Sequence, residues 1–246
     1  MGIGCLFFKY RGIDANTLSS LATGKVWFSP RSQLNDPYDC APNVIWDIDE
    51  QQLDELIASF NLSWKNPLSY DDKKKEVEKS LFQHINDCGV FCVSGTPYSP
   101  LMWAHYGDSH RGVAISFAVK PENVDNPDAP HKCPRPVSYN GRGRACMFDF
   151  YKARLGKTGS DEAFSNLIQA CYFSKTPDWA YEQETRFLSV RENGLLELDA
   201  DISVVVYGAR ITKEHISLIQ RLIPDSVQQY QIKIGMNGLE CMSINV

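Results

Sequence analysis

The chain has 246 residues and a formal net charge of −5, with 43% hydrophobic and 22% charged residues. This fits a globular protein with a real core, expected as a single domain over residues 1–246, and the acidic balance lacks the basic face that general nucleic-acid binding needs. No apolar run reaches the roughly 20 residues that span a bilayer, and the start MGIGCLFFKYRG lacks a charged n-region ahead of a long apolar one, so the expectation is a cytoplasmic protein without a membrane partner.

Residues 5–10 read as a short buried strand. Residues 14–23 follow as a helix that Asp14 or Asn16 caps and Gly24 stops. A second strand is expected over 25–29. Residues 30–43 hold three prolines and an Asn-Asp-Pro step, which predicts turns. Two helices come next. Asp49 to Phe60 puts Leu53, Leu56, Ile57 and Phe60 on one face, and Asp71 to Asp87 does the same with Val77, Leu81, Phe82 and Ile85. The run DDKKKEVEK is then the solvated side of the second helix. Residues 89–94 and 112–119 read as strands on either side of a short helix over 99–106, with Pro100 in its first turn.

Residues 120–135 read as a connector, 136–139 as a strand, and 140–146 (NGRGRAC) as a mobile basic loop. Helices are expected over 147–155, 160–174 and 212–222, and strands over 185–191 and 202–207. The tail forms a hairpin around Met236-Asn237-Gly238. Strands and helices alternate irregularly, so the class is α+β, with a mixed or antiparallel sheet and helical insertions. The eight cysteines contain no Cys-x-x-Cys pair, so they are expected as reduced thiols and not as metal ligands.

Four constellations can carry chemistry. Lys9-Tyr10-Arg11 ends a strand, where side chains face a cleft or simply an edge. Ser29-Pro30-Arg31 with Asn35-Asp36-Pro37-Tyr38-Asp39 is explained by Asx turns, or else it is a rigid loop presenting Arg31 and Asn35 to a ligand. Trp103 and Tyr106, three apart, share a helix face and read as core or as a ligand clamp; His105 between them is the candidate proton-transfer group by residue type, against the reading of a hydrogen-bonded structural histidine. Glu182, Glu184 and Arg186 alternate onto one strand face. Arg186 is expected to pair with one acid and leave the other available, against the competing reading of a purely structural ion pair.

The segments NDPYD, MWAHYGDSHRG and WAYEQETRF, in this order and roughly these spacings between about Lys9 and Arg210, resemble an uncharacterised bacterial family known only as a domain of unknown function. A second resemblance is to the ADP-ribosyltransferase superfamily. It rests on a strand ending in Arg11, a short helix, Gly24, a strand leading to Ser29, and the later Glu182-Gln183-Glu184. FCVSGTPYSPLMWAHY is similar to a stretch of the DNA-modifying members, which leaves Ser29 and Ser94 both open for the serine role.

That second resemblance implies an ADP-ribosyltransferase-like fold and NAD as the substrate. Glu184 would stabilise the oxocarbenium charge and Glu182 would orient the ribose hydroxyls or the acceptor. Arg11 would hold a phosphate. Tyr10, Ser29, Arg31, Asn35, Trp103 and Tyr106 would complete the dinucleotide site, and His105 would position a hydroxyl or act as base. The acceptor would be a protein, a nucleic acid or a small molecule, and the role a toxin-like effector in bacterial phage defence. Two other classes compete: a ligand-sensing or nucleotide-binding module without catalysis, and a metal-dependent nuclease or hydrolase using Asp36, Asp39 and His105.

Overall fold

The structure, a computed structural model, describes residues 6–60, 67–119, 134–190, 192–198, 200–236 and 238–244. The alternation in LFFKYR makes a strand, β1 (Leu6–Arg11), with Phe8 and Tyr10 buried on one face and Phe7, Lys9 and Arg11 on the other. Asp14 caps α1 (Ala15–Thr23) by accepting from the Thr17 amide, and Gly24 ends it at φ +73. Strand β2 (Lys25–Phe28) follows, then a 3-10 turn over Arg31–Gln33 and strand β3 (Asn43–Ile45).

Helix α2 (Glu50–Ala58) starts with a capping box in which Asp49 and Gln52 satisfy each other's backbone amides, and α3 (Tyr70–Asp87) starts at Ser69. Then come β4 (Gly89–Ser94), α4 (Pro100–His105) and β5 (Val113–Val119). The 120–135 connector falls almost wholly outside the described residues. Strands β6 (Arg135–Pro136) and β7 (Arg144–Cys146) lead into helices α5 (Met147–Leu155) and α6 (Ser160–Tyr172). A 3-10 turn over Pro177–Glu182 precedes β8 (Glu184–Ser189). The chain closes with β9 (Gly194–Glu197), β10 (Ala200–Tyr207), α7 (Lys213–Gln220), β11 (Gln228–Gly235) and β12 (Gly238–Ser243).

Eight strands form one sheet in the order β12-β11-β10-β5-β1-β4-β8-β6, parallel only between β10 and β11. The fold is therefore α+β with a mixed, mostly antiparallel sheet. One face of the sheet carries Phe91, Ile115, Phe117, Phe187 and Val205 and packs under α1, β2 and α7. The other carries Phe8, Tyr10, Ala114 and Val206 and receives Met102 and Trp103 of α4. A third apolar cluster joins α2, α3, α5 and α6 to Val90 and Leu188 at the β4–β8 end.

One expectation is corrected, and two strands come unannounced. The basic stretch 140–146 is held, because β7 pairs in parallel with β3 and Arg142 donates twice to the Ala41 carbonyl, at 3.2 and 2.7 Å. Strands β3 and β9 carry no alternation strong enough to announce them. Each is three or four residues long and exists because a distant partner, β7 or β2, supplies its ladder.

Phe91 is 2% exposed and touches the rings of Phe28, Phe117 and Phe187. Phe91→Ala should cost about 3–5 kcal/mol in chemical denaturation, because the four-ring cluster cannot collapse into the void.

Candidate functional site

Strand β1 pairs with β5 along its whole length, from Leu6↔Ala118 to Arg11↔Val113, but meets β4 at Phe8↔Ser94. Toward the Arg11 end β4 takes another partner: Ser29 and Val90 exchange both backbone hydrogen bonds at 2.9 Å. Between these two points the Lys9 ammonium donates to the Cys92 carbonyl at 2.8 Å, a side chain standing where a ladder bond would otherwise lie. The sheet opens here into a cleft of about 210 Å³, and its walls include Lys9, Tyr10, Arg11, Ser29, Asn35 and Tyr106. Its floor is acidic, formed by Asp39, Glu182 and Glu184 with Lys175 among them.

The floor is a buried network of three carboxylates and two cations. Arg186, fully buried, donates to both oxygens of Glu184 at 2.8 and 2.9 Å and to Asp39 Oδ2 at 2.7 Å. The Lys175 ammonium lies 2.6 Å from Glu182, 3.1 Å from Glu184 and 3.2 Å from Asp39. Local backbone explains how one lysine reaches two acids seven and nine residues later. Pro177 starts a 3-10 turn that folds the chain back, and Gln183 at φ +46 turns it again before β8. Glu182 therefore lies outside the strand, correcting the expectation that it shares a strand face with Glu184 and Arg186. Arg186 pairs with Glu184, and Glu182 goes to Lys175 and to the Tyr106 hydroxyl, which donates to it at 2.6 Å.

These surroundings push the two glutamates apart. Burial raises Glu184, but the Arg186 and Lys175 charges outweigh it and hold the carboxyl well below its ordinary 4.5. Burial also raises Glu182, and with the Glu184 charge beside it Lys175 does not fully compensate, so Glu182 sits above its ordinary value. Glu184 is a fixed anion; Glu182 is the acid nearer to gaining a proton.

Of the residues singled out from the sequence, the structure brings Arg11, Tyr10, Ser29, Asn35, Tyr106, Glu182 and Glu184 to this one cleft, and Ser94 as well. Asn35 donates to the Tyr106 hydroxyl at 3.0 Å, which ties the Asn-Asp-Pro loop to α4. Tyr10 offers little more than an edge, being 4% exposed with its hydroxyl donating to the Thr96 carbonyl at 2.7 Å.

Three expected residues stand elsewhere. Trp103 is fully buried, its indole N–H donates to the Pro97 carbonyl, and Tyr10 and His110 pack against it, so it is core and not a ligand clamp. Arg31 faces away, over the Phe82 ring and onto the Pro37 carbonyl. His105 is exposed and hydrogen-bonds the Tyr181 hydroxyl at 3.0 Å. The trio Asp36, Asp39 and His105 is dispersed. Asp36 accepts from the Tyr38 amide, Asp39 belongs to the ion network, and no group of three or more His, Cys, Asp or Glu side chains among the described residues is placed to hold a metal ion.

Lys175 was not singled out from sequence, and Asp39 only as a metal-site candidate. The one local signal for Lys175 is a lysine just ahead of Thr-Pro and two later acids, and nothing in the sequence marks it as buried.

Because Glu184 is depressed, its contribution to stability is present above the unfolded value near 4.5 and is lost as pH falls through its lower folded value. Glu182 works oppositely and more weakly, favouring the fold when protonated. The melting temperature should therefore drop as pH is lowered below about 4.5, and Glu184→Gln should flatten that acid limb. Arg186→Met, which leaves three buried carboxylates to Lys175 alone, should destabilise by about 3–5 kcal/mol in denaturant titration at pH 7.

No curated protein and no solved structure matches the chain. Residues 102–187, from α4 to β8 and including Tyr106, Lys175, Glu182, Glu184 and Arg186, match the model of a family described as "Protein of unknown function (DUF2971)".

Proposed function

We propose that the cleft takes NAD and breaks the nicotinamide–ribose bond, as an ADP-ribosyltransferase-like or NAD-cleaving enzyme. The observation that carries this reading is convergence. Arg11, Ser29 and the pair Glu182/Glu184 come from three separate segments and line the same opening in the sheet. The charge layout supports it. Three carboxylates face two cations on the floor, an excess of one negative charge when all are ionised. Arg11 and Lys9 stand on the wall. A ligand with a cationic head and an anionic tail, such as a pyridinium joined to a pyrophosphate, matches that polarity.

In this reading the anionic floor stabilises the positive charge that develops on the ribose as the C1–N bond breaks and nicotinamide leaves with the electron pair. Glu184, kept ionised by Arg186 and Lys175, supplies fixed charge without having to be reorganised. Glu182, with its raised affinity for a proton and its link to Tyr106, orients the ribose hydroxyls or accepts the proton of the incoming nucleophile. The nucleophile is water or an acceptor that is a protein, a nucleic acid or a small molecule.

A second reading, a nucleotide- or ligand-binding module without catalysis, is favoured by one observation: both Glu184 oxygens are already engaged by Arg186 and Lys175. The two readings separate on NAD labelled in its nicotinamide, incubated with the wild type, Glu184→Gln and Glu182→Gln. The enzymatic reading expects release that falls about 100-fold or more on substitution of the working carboxylate. Absence of both release and calorimetric NAD binding would overturn it; binding that survives Glu184→Gln, with no release from any form even when protein, nucleic-acid and small-molecule acceptors are supplied, would favour the module.

A further inference from the structure

The ion network leaves two cleft cations outside it, Lys9 and Arg11. Lys9 lies in the wall, and its ammonium is sunk between the Cys92 carbonyl at 2.8 Å and the Phe91 ring, 5.1 Å from its centroid. The three floor carboxylates pair with Lys175 and Arg186 instead, and among the described residues no carboxylate lies within 4.0 Å of Lys9 Nζ. Arg11, two residues on and on the same face of β1, brings a guanidinium to the same cleft.

We propose that Lys9 is a reactive amine that takes small aldehydes or ketones bearing an anionic group as Schiff bases, with Arg11 holding the anion. The amine nitrogen, having shed its proton to solvent, adds to the carbonyl carbon, and the carbonyl oxygen is protonated. Loss of that oxygen as water then leaves a C=N bond on Lys9, protonated at nitrogen. The cleft suits such an addition. A planar guanidinium grips a carboxylate or phosphate in two-point fashion, and the longer-range field of Glu184 and Glu182 across the cleft favours the iminium charge.

The groups facing Lys9 are Arg11 on its own strand, Cys92 on β4, Glu184 on β8 and Glu182 just before it. Burial and the Arg11 charge lower the amine to about 8, against the weaker opposing pull of Cys92 and the two glutamates. Lys175, enclosed by carboxylates, goes the other way and stays protonated.

The test uses glyoxylate with cyanoborohydride on the full chain between pH 6 and 10, the adducts located by peptide mass spectrometry. Lys75 and Lys79, with side chains 75% and 74% exposed, serve as internal references. Labelling should concentrate on Lys9, rise through about pH 8 and level off above it, while the reference lysines keep rising with pH. Arg11→Met should slow it several-fold, and Lys9→Met should remove that adduct while the reference lysines react as before. Labelling of Lys9 no faster than Lys75 and Lys79, or a rate that climbs alongside theirs to pH 10, would overturn the proposal. The readout involves no NAD, so it stands or falls independently of nicotinamide release.

Discussion

The ion network of Asp39, Lys175, Glu182, Glu184 and Arg186 is the constraint on which the rest of the site depends. Each of these side chains is nearly or fully removed from water, and taking charges into that environment costs several kcal/mol apiece unless geometry and hydrogen bonding offset it. The offset here is collective. Lys175 is the single group in contact with all three acids, and Arg186 adds the Tyr172 carbonyl and the Cys40 sulfur to its two carboxylate partners. No member can be moved alone, so the Asn-Asp-Pro loop, the turn before β8 and the first residues of β8 are locked into one arrangement.

That arrangement fixes the cleft above it. β4 is held on one side by β8, through pairs running from Gly89↔Ser189 to Ser94↔Glu184. On its other side it divides its pairing between Phe8 of β1 and Ser29 after β2. A strand shared this way leaves room between its two partners, and Lys9 spans the gap. The chemical character of the cleft follows: a rigid anionic floor that cannot be neutralised cheaply, and a cationic wall. Two lysines lining the same acidic cleft acquire opposite character, since Lys175 is enclosed by carboxylates and Lys9 by a carbonyl, an aromatic ring and a neighbouring arginine.

Much of the fold was legible in the chain. Helices α1, α2, α3 and α7 follow from capping residues and from apolar spacing near 3.6, and strands β1, β4, β5 and β8 from apolar runs with turn residues at their ends. These are local signals, carried within ten to twenty residues. The site was legible in part. WAYEQETRF stands out because two acids and an arginine lead into an apolar strand, and NDPYD because its turn residues can form a rigid loop; both segments meet at the floor. Trp103 was ambiguous for a physical reason: an aromatic residue on a helix face looks the same from sequence whether it turns to a core or to a ligand.

What the sequence by itself determined is most of the elements, the α+β class and the short list of segments rich in chemistry, because propensity, capping and alternation act between near neighbours. The tertiary structure alone decided that Arg186 takes Glu184, that Glu182 falls to Lys175 and Tyr106, that β1 and β4 part company, and that Lys9 sits without a carboxylate beside it. Those outcomes depend on contacts between residues as far apart as Asp39 and Arg186. The energy of a buried charge is set by which partners the whole fold brings within about 3 Å of it, and no local pattern encodes that.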